Sequence, residues 1–177
     1  MPTPRKGLMW LTLAVAAGVV ILDQLTKWMA VKWLNPFEPV ELIGPWLRLT
    51  LTRNPGAAFS LGAGYTVIFS LLALGVIAVI IRSSRKIGSV GWAVALGGIL
   101  GGATGNLIDR IFRSPAVFRG HVVDFIQWPH FPVFNVADMS ITCSAVLMVI
   151  LVLRGVQLSG QPIAPQDGVA ETRTDNG

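Results

Sequence analysis

"GGILGGATGNLIDR" occupies residues 97–110. It closes a stretch, 87–108, that carries no charged residue. A helix needs about 20 apolar residues to cross a bilayer, so this stretch is long enough. Within it Gly97, Gly101 and Gly105 recur every four positions, and Gly98 and Gly102 make a second pair. Small residues at that spacing let helix backbones approach closely in lipid. Asn106 near the end of the stretch and Asp109 and Arg110 just past it stand at i, i+3 and i+4, and therefore on one helical face. The reading is a membrane helix that packs through glycine and has a polar end held tightly against a neighbour.

The same logic extends outward. Three more stretches lack charge: 7–22, 54–81 and 139–153. The first and last reach spanning length by taking in Asp23 and Asp138. Four transmembrane helices are expected, near 8–28, 65–82, 89–109 and 136–154. The chain of 177 residues is 53% hydrophobic and 13% charged. Soluble domains carry about 25% charged residues, and a soluble chain would need polar faces that these helices lack. A signal peptide is the other reading of the first stretch, with Arg5 and Lys6 as its basic region. No small-x-small cleavage site follows it, and three more spans do.

Between the first two spans, "WLRLTLTRN" (46–54) alternates. Leu47, Leu49 and Leu51 point one way, and Arg48, Thr50 and Thr52 the other, as in a half-buried strand. "PVELI" before it is a candidate partner, and Gly44-Pro45 marks the turn. An extended interfacial loop is the alternative. The fold class is thus an all-α membrane protein with four transmembrane helices and a small extracytoplasmic β-sheet near 37–60. One membrane domain is expected over 1–155, followed by a polar, disordered tail over 156–177.

Four spans put both termini on one side. Lysine and arginine divide seven to seven between the two sides, so their number does not orient the chain. The leading "RK" and the dense "RSSRK" loop favour cytoplasmic termini. Asp23, Asp109, Asp124 and Asp138 then gather at the opposite face. Trp28, Trp33, Trp46 and Trp128 would belt that interface, and Trp10 and Trp92 the near one. The net charge of +5 is scattered around the spans, with no basic patch to suggest nucleic acid. The single cysteine, Cys143, excludes an internal disulfide and is expected to serve as a small packing residue.

Ionisable residues within membrane segments are costly and are functional by default. Asp23 and Lys27 stand at i, i+4 in "DQLTK", and can be read as an interfacial ion pair. Asp109 and Arg110 can also be read as paired charges. Asn54 can be read as a turn residue in "RNPG", and Asp124 or Asp138 as a helix N-cap. Their convergence at one face argues for a site. No zinc motif is present: His121, Asp124 and His130 make a weak ligand set. No Gly-x-Ser-x-Gly elbow occurs. Two aspartates suffice for peptide hydrolysis, because one carboxylate can deprotonate water while the other, protonated, polarises the carbonyl. Asp124, in a loop returning from the third span, and Asp138, in the first turns of the fourth, are fourteen positions apart. The intervening residues can fold back and bring the two face to face. A proton-coupled transporter is the other reading, though it would place its acids nearer mid-bilayer.

"DQLTK" (23–27), "NPGAAF" (54–59), "GNLIDR" (105–110), "VVDF" (122–125) and "FNVAD" (134–138), in this order across four spans, resemble the lipoprotein signal peptidases, also called signal peptidase II. The resemblance covers roughly 8–155. It implies an aspartyl peptidase of the bacterial inner membrane with cytoplasmic termini and a site near the periplasmic face. Such an enzyme removes signal peptides from diacylglyceryl-modified prolipoproteins just before the lipidated cysteine, without a metal or cofactor. It implies Asp124 and Asp138 as the catalytic pair. Asn106, Arg110 and Asn135 would contact substrate or the cyclic peptide globomycin, with Asp23, Lys27, Asn54 and Asp109 in support.

Overall fold

The computed structural model describes residues 6–56 and 66–160. The element order is α1 (Lys6–Trp33), β1 (Val40–Ile43), β2 (Leu47–Asn54), α2 (Thr66–Ser84), α3 (Val90–Phe112), β3 (Val122–Gln127) and α4 (Val136–Leu153). Each helix is long and apolar enough to cross a membrane. The outer surface is that of a membrane protein: Ile21 and Val79, both within spans, are 67% and 64% exposed. In water such faces would be an aggregation hazard, whereas in lipid they are the solvated surface.

The glycine-rich helix α3 is the centre, packing against α1, α4 and α2. Its two glycine rows serve two neighbours. A Cβ on Gly97 or Gly101 would meet the backbone of α1, with the Thr12 and Ala16 carbonyl oxygens each 2.7 Å away. A Cβ on Gly102 would lie 2.5 Å from the Ala137 carbonyl oxygen of α4, and one on Gly98 would collide with Ser144 of α4. The single close neighbour anticipated from the sequence is therefore two.

The sheet has the order β1-β2-β3 and is antiparallel throughout. The hairpin of "PVELI" with "WLRLTLTRN" forms as expected. The strict alternation does not: Thr50 is the buried residue and the three leucines are only half-buried. An irregularity in the β2–β3 register between Leu49 and Thr52 accounts for this, because one displaced residue exchanges faces. The third strand corrects the sequence reading, which put Asp124 in a loop. Val122–Gln127 pairs with β2, setting Thr52 opposite Asp124 and Arg48 opposite Gln127. Its first four residues are buried, so it shows no alternation to read.

At the other end of the bundle, residues 156–160 pack rather than trail away. The Gly88 amide donates to the Leu158 carbonyl at 2.8 Å, and Trp92 Nε1 donates to the Val156 carbonyl at 2.8 Å. The expected tail from 161 onward, and the end of "NPGAAF", lie outside the described residues.

Candidate active site

The polar terminus of α3, the last turns of α1 and the first turn of α4 meet at the end of the bundle that carries the sheet. Lys27 is fully buried there and uses all three of its protons. Its Nζ lies 2.9 Å from Asp23 Oδ2, 3.0 Å from Asp109 Oδ2 and 2.9 Å from Asn106 Oδ1. Asp109 also accepts from Arg113 Nε at 2.6 Å and from the Val123 amide at 3.1 Å. Asp23 Oδ1 accepts the Ala137 amide of α4 at 3.0 Å. These contacts balance two carboxylates with two cations and tie four elements together. A buried ion pair is tolerable only with such full hydrogen bonding.

The Asp23–Lys27 pair read from the sequence therefore exists, but in the interior. The Asp109–Arg110 alternative does not hold, because Asp109 turns to Lys27 and Arg113. Two members of this cluster escaped the sequence reading. Gln24 Nε2 donates to Asp23 Oδ2 at 3.1 Å and to the Gly105 carbonyl at 3.0 Å. Arg113 stands at i+4 from Asp109, and that spacing was a usable signal.

The cluster supports the layer above it. Because Asn106 Oδ1 accepts from Lys27, its amide nitrogen faces Asp138 Oδ1, at 2.8 Å. Asp138 and Asn135 form a reciprocal capping box: the Asp138 amide donates to Asn135 Oδ1 at 3.0 Å, and the Asn135 amide to Asp138 Oδ2 at 3.1 Å. The i, i+3 spacing of "FNVAD" is this cap. Asn135 Nδ2 reaches Asp124 Oδ1 at 2.6 Å and Asn106 Oδ1 at 3.2 Å. Asn54 Nδ2 donates to Asp124 Oδ2 at 2.9 Å, while its own oxygen accepts the Gly56 amide at 2.8 Å. The "NPG" turn thus orients Asn54 toward Asp124. Gly56 has φ +111°, a conformation that favours glycine.

Asp124 and Asp138 both line a cavity of about 810 Å³. Asn54 and Arg110 also line it, whereas Asn106 and Asn135 hold the aspartates from behind. Much of the remaining wall is apolar: Phe69, Phe131, Val133, Phe134 and Met139. Arg110 lies with its guanidinium carbon 5.6 Å from the centre of the Phe69 ring, and its Nη1 is buried with no hydrogen-bond partner among the described residues. Cys143, expected to be a packing residue, is exposed and lines the same cavity. Arg53 and residues 131–133 were also not singled out from the sequence. Burial pushes the Asp124 carboxyl up to about 6, with the charge of Asp138 acting in the same sense and the amides of Asn54 and Asn135 opposing. Among the described residues no group of three or more His, Cys, Asp or Glu side chains is arranged to hold a metal ion.

This geometry has close relatives. A family model described as signal peptidase (SPase) II matches residues 15–154. A lipoprotein signal peptidase of Streptomyces coelicolor is 52% identical over 147 residues, which span 83% of this chain and 72% of the relative. One from Rhodococcus jostii is 49% identical over 90% of this chain and 81% of its own length. A bacterial membrane enzyme structure obtained by the in meso method at 1.9 Å resolution superposes with a TM-score of 0.72 at 31% identity, covering 81% of this chain and 92% of its own. With the match running through all four helices, the chain is a multi-pass membrane protease and belongs to the signal peptidase II family.

Proposed function

We propose that this protein is an intramembrane aspartyl endopeptidase. It removes signal peptides from diacylglyceryl-modified bacterial prolipoproteins, cutting just before the lipidated cysteine. It does so in the inner membrane, with both termini cytoplasmic and the site near the periplasmic face. The observation that carries this reading is that Asn135 touches both Asp124 and Asp138 at the wall of one cavity. The names of the relatives support the substrate class.

Asp124, whose carboxyl is pushed up to about 6, holds the proton that the pair shares. Asp138, which accepts hydrogen bonds from Asn106 Nδ2 and from the Asn135 amide at the start of α4, serves as the base. Asp138 takes a proton from water, the water oxygen attacks the scissile carbonyl carbon, and Asp124 protonates the carbonyl oxygen. The tetrahedral diol then collapses. Asp138 gives its proton to the cysteine nitrogen as the C–N bond breaks, and Asp124 recovers a proton from the diol. The products are a signal peptide ending in a carboxyl group and a lipidated cysteine with a free amine. Neither aspartate is consumed.

The apolar wall suits the lipid chains and the signal helix. Both α2, through Phe69, and α4, through Met139 and Cys143, contribute to it. These two helices pack on α3 and make few contacts with each other, which leaves a route for a membrane-embedded substrate between them. Arg110 offers guanidinium donors to peptide carbonyls or to cyclic peptides such as globomycin.

The test is cleavage of a diacylated lipobox peptide by purified protein. Asp124→Asn and Asp138→Asn should each lower turnover by roughly a thousandfold or more while the thermal transition persists. A chelator should leave the unmodified protein active. Substantial turnover by either variant, or loss with a chelator that added metal restores, overturns the assignment.

A further inference from the structure

A smaller cavity, of about 280 Å³, lies on the sheet beyond the first. Arg48, Gln127, Trp128, His130 and Phe131 are among its lining residues, and none of the lining belongs to a helix. Arg48 and Gln127 are cross-strand partners on β2 and β3, so their side chains share one face. Arg48 Nη2 pairs with Glu41 at 3.0 Å, and its Nε has no hydrogen-bond partner among the described residues. His130 adopts a left-handed backbone conformation, φ 60°, at the tip of the loop that returns to α4. Phe131 lines this cavity and the larger one. The two are therefore adjacent compartments with one ring between them.

Strand β3 gives the spacing. Asp124 lines the first cavity and Gln127, three residues along the strand, lines the second. At roughly 3.3 Å per residue the separation is about 10 Å. That is three residues of an extended peptide.

We infer that the smaller cavity is a subsite for the part of the substrate on the released side of the scissile bond, about three residues beyond it. The inference rests on the peptidase reading above. The signal peptide lies in the bilayer, and the chain beyond the cysteine leads away from it. A compartment built wholly outside the helices and opening past Phe131 is where that chain goes. Its polar lining is rich in donors: a guanidinium, an amide, an indole and an imidazole. It therefore takes an acceptor, a carboxylate or an amide oxygen, and disfavours lysine or arginine. Trp128 and the prolines supply flat walls for the peptide backbone.

The experiment compares two diacylated peptides. One ends directly after the lipidated cysteine. The other extends four residues further, with glutamate, glutamine or lysine at the third position after the bond. Specificity constants are measured in detergent and in bilayers with and without anionic phospholipid. The extended glutamate peptide should exceed the lysine peptide by about tenfold, the scale of one charge-assisted hydrogen bond. That ratio should fall toward one in Arg48→Gln and in His130→Asn. The asparagine is chosen because it tolerates the left-handed conformation. Equal constants for the glutamate and lysine peptides overturn the subsite, while cleavage of the short peptide upholds the peptidase reading separately. An equal loss on short and extended peptides, confined to anionic bilayers, also overturns it, and assigns the cavity to a lipid phosphate.

Discussion

Asp124 and Asp138 share an asparagine but not an environment. Asp124 is 2% exposed on a strand, whereas Asp138 begins a helix and is only partly covered. The difference has a sign that pH can read. The Asp124 pKa of about 6 stands above the ordinary 3.8, so the folded state binds its proton more tightly than the unfolded chain does. Its stabilising contribution is complete below about pH 4 and is lost as the pH rises through about 6. At about 1.4 kcal/mol per pKa unit, the full loss is about 3 kcal/mol. Thermal unfolding measured from about pH 4 to 8 should show this decline in the unmodified protein and not in Asp124→Asn. The same decline in both would mean that another group titrates. Arg110 makes a separate case. Asp109 is neutralised by Lys27 and Arg113 without it. Arg110→Ala should therefore weaken globomycin binding about tenfold or more, the loss of a hydrogen bond to a charged group, with little change in thermal stability. Unchanged inhibitor affinity together with a lowered melting temperature would make Arg110 a structural residue.

At the scale of the element, α3 governs the rest, because its two glycine rows hold α1 and α4 in register with the polar cluster. On Gly101 a Cβ would meet the Ala16 carbonyl oxygen and Val19 Cβ, each at 2.7 Å. Backbone cannot turn aside as a flexible side chain can. Gly101→Ala should cost about 1–3 kcal/mol, the usual range for overpacking. It should also lower activity, since moving α1 disturbs Lys27 and through it Asn106. Gly75→Ala on α2 is the control: nothing lies within 4 Å of its Cβ position, and alanine is the better helix former. It should leave the melting temperature unchanged or raise it. Similar losses in both variants would show that helix propensity, not close approach, governs these positions. The capping box at the start of α4 gives Asp138 two duties, since it holds the helix start while facing the cavity. Asparagine can keep an acceptor there and alanine cannot, so the chemistry is tested with Asn.

Across the whole molecule, the four helices alternate in direction, which puts the sheet and both cavities at one end and residues 84–90 and 153–160 at the other. Reporter fusions at residue 86 and at the C-terminus should both register the cytoplasm. Periplasmic signals from both would reverse the molecule and place the candidate site on the wrong side of the membrane for an exported substrate. The even division of lysine and arginine makes this a real test, because charge number alone does not decide it.

The spans and the hairpin were legible in the sequence because each is encoded locally. Charge-free length marks a spanning helix, and period two marks a half-buried strand. The cap was read on the wrong residue: Asn135, not Asp138, is the N-cap of α4, and Asp138 closes the box from the third helical position. The strand that carries Asp124 was not legible, since "VVDFIQ" is buried where it begins and a buried strand loses its alternation. Only half of the pairing of Asp109 was encoded locally, in Arg113 at i+4. Arg110 adjoins it in sequence, yet Lys27 reaches it from another helix. Cys143 read as packing because a helical sequence does not say which face opens on a cavity. The sequence by itself determined which segments enter the membrane and which polar residues lie near one face. Only the tertiary structure decided which of those residues touch, because contacts such as Asp23 to Ala137 and Asn54 to Asp124 join distant parts of the chain through the packing of whole helices and strands.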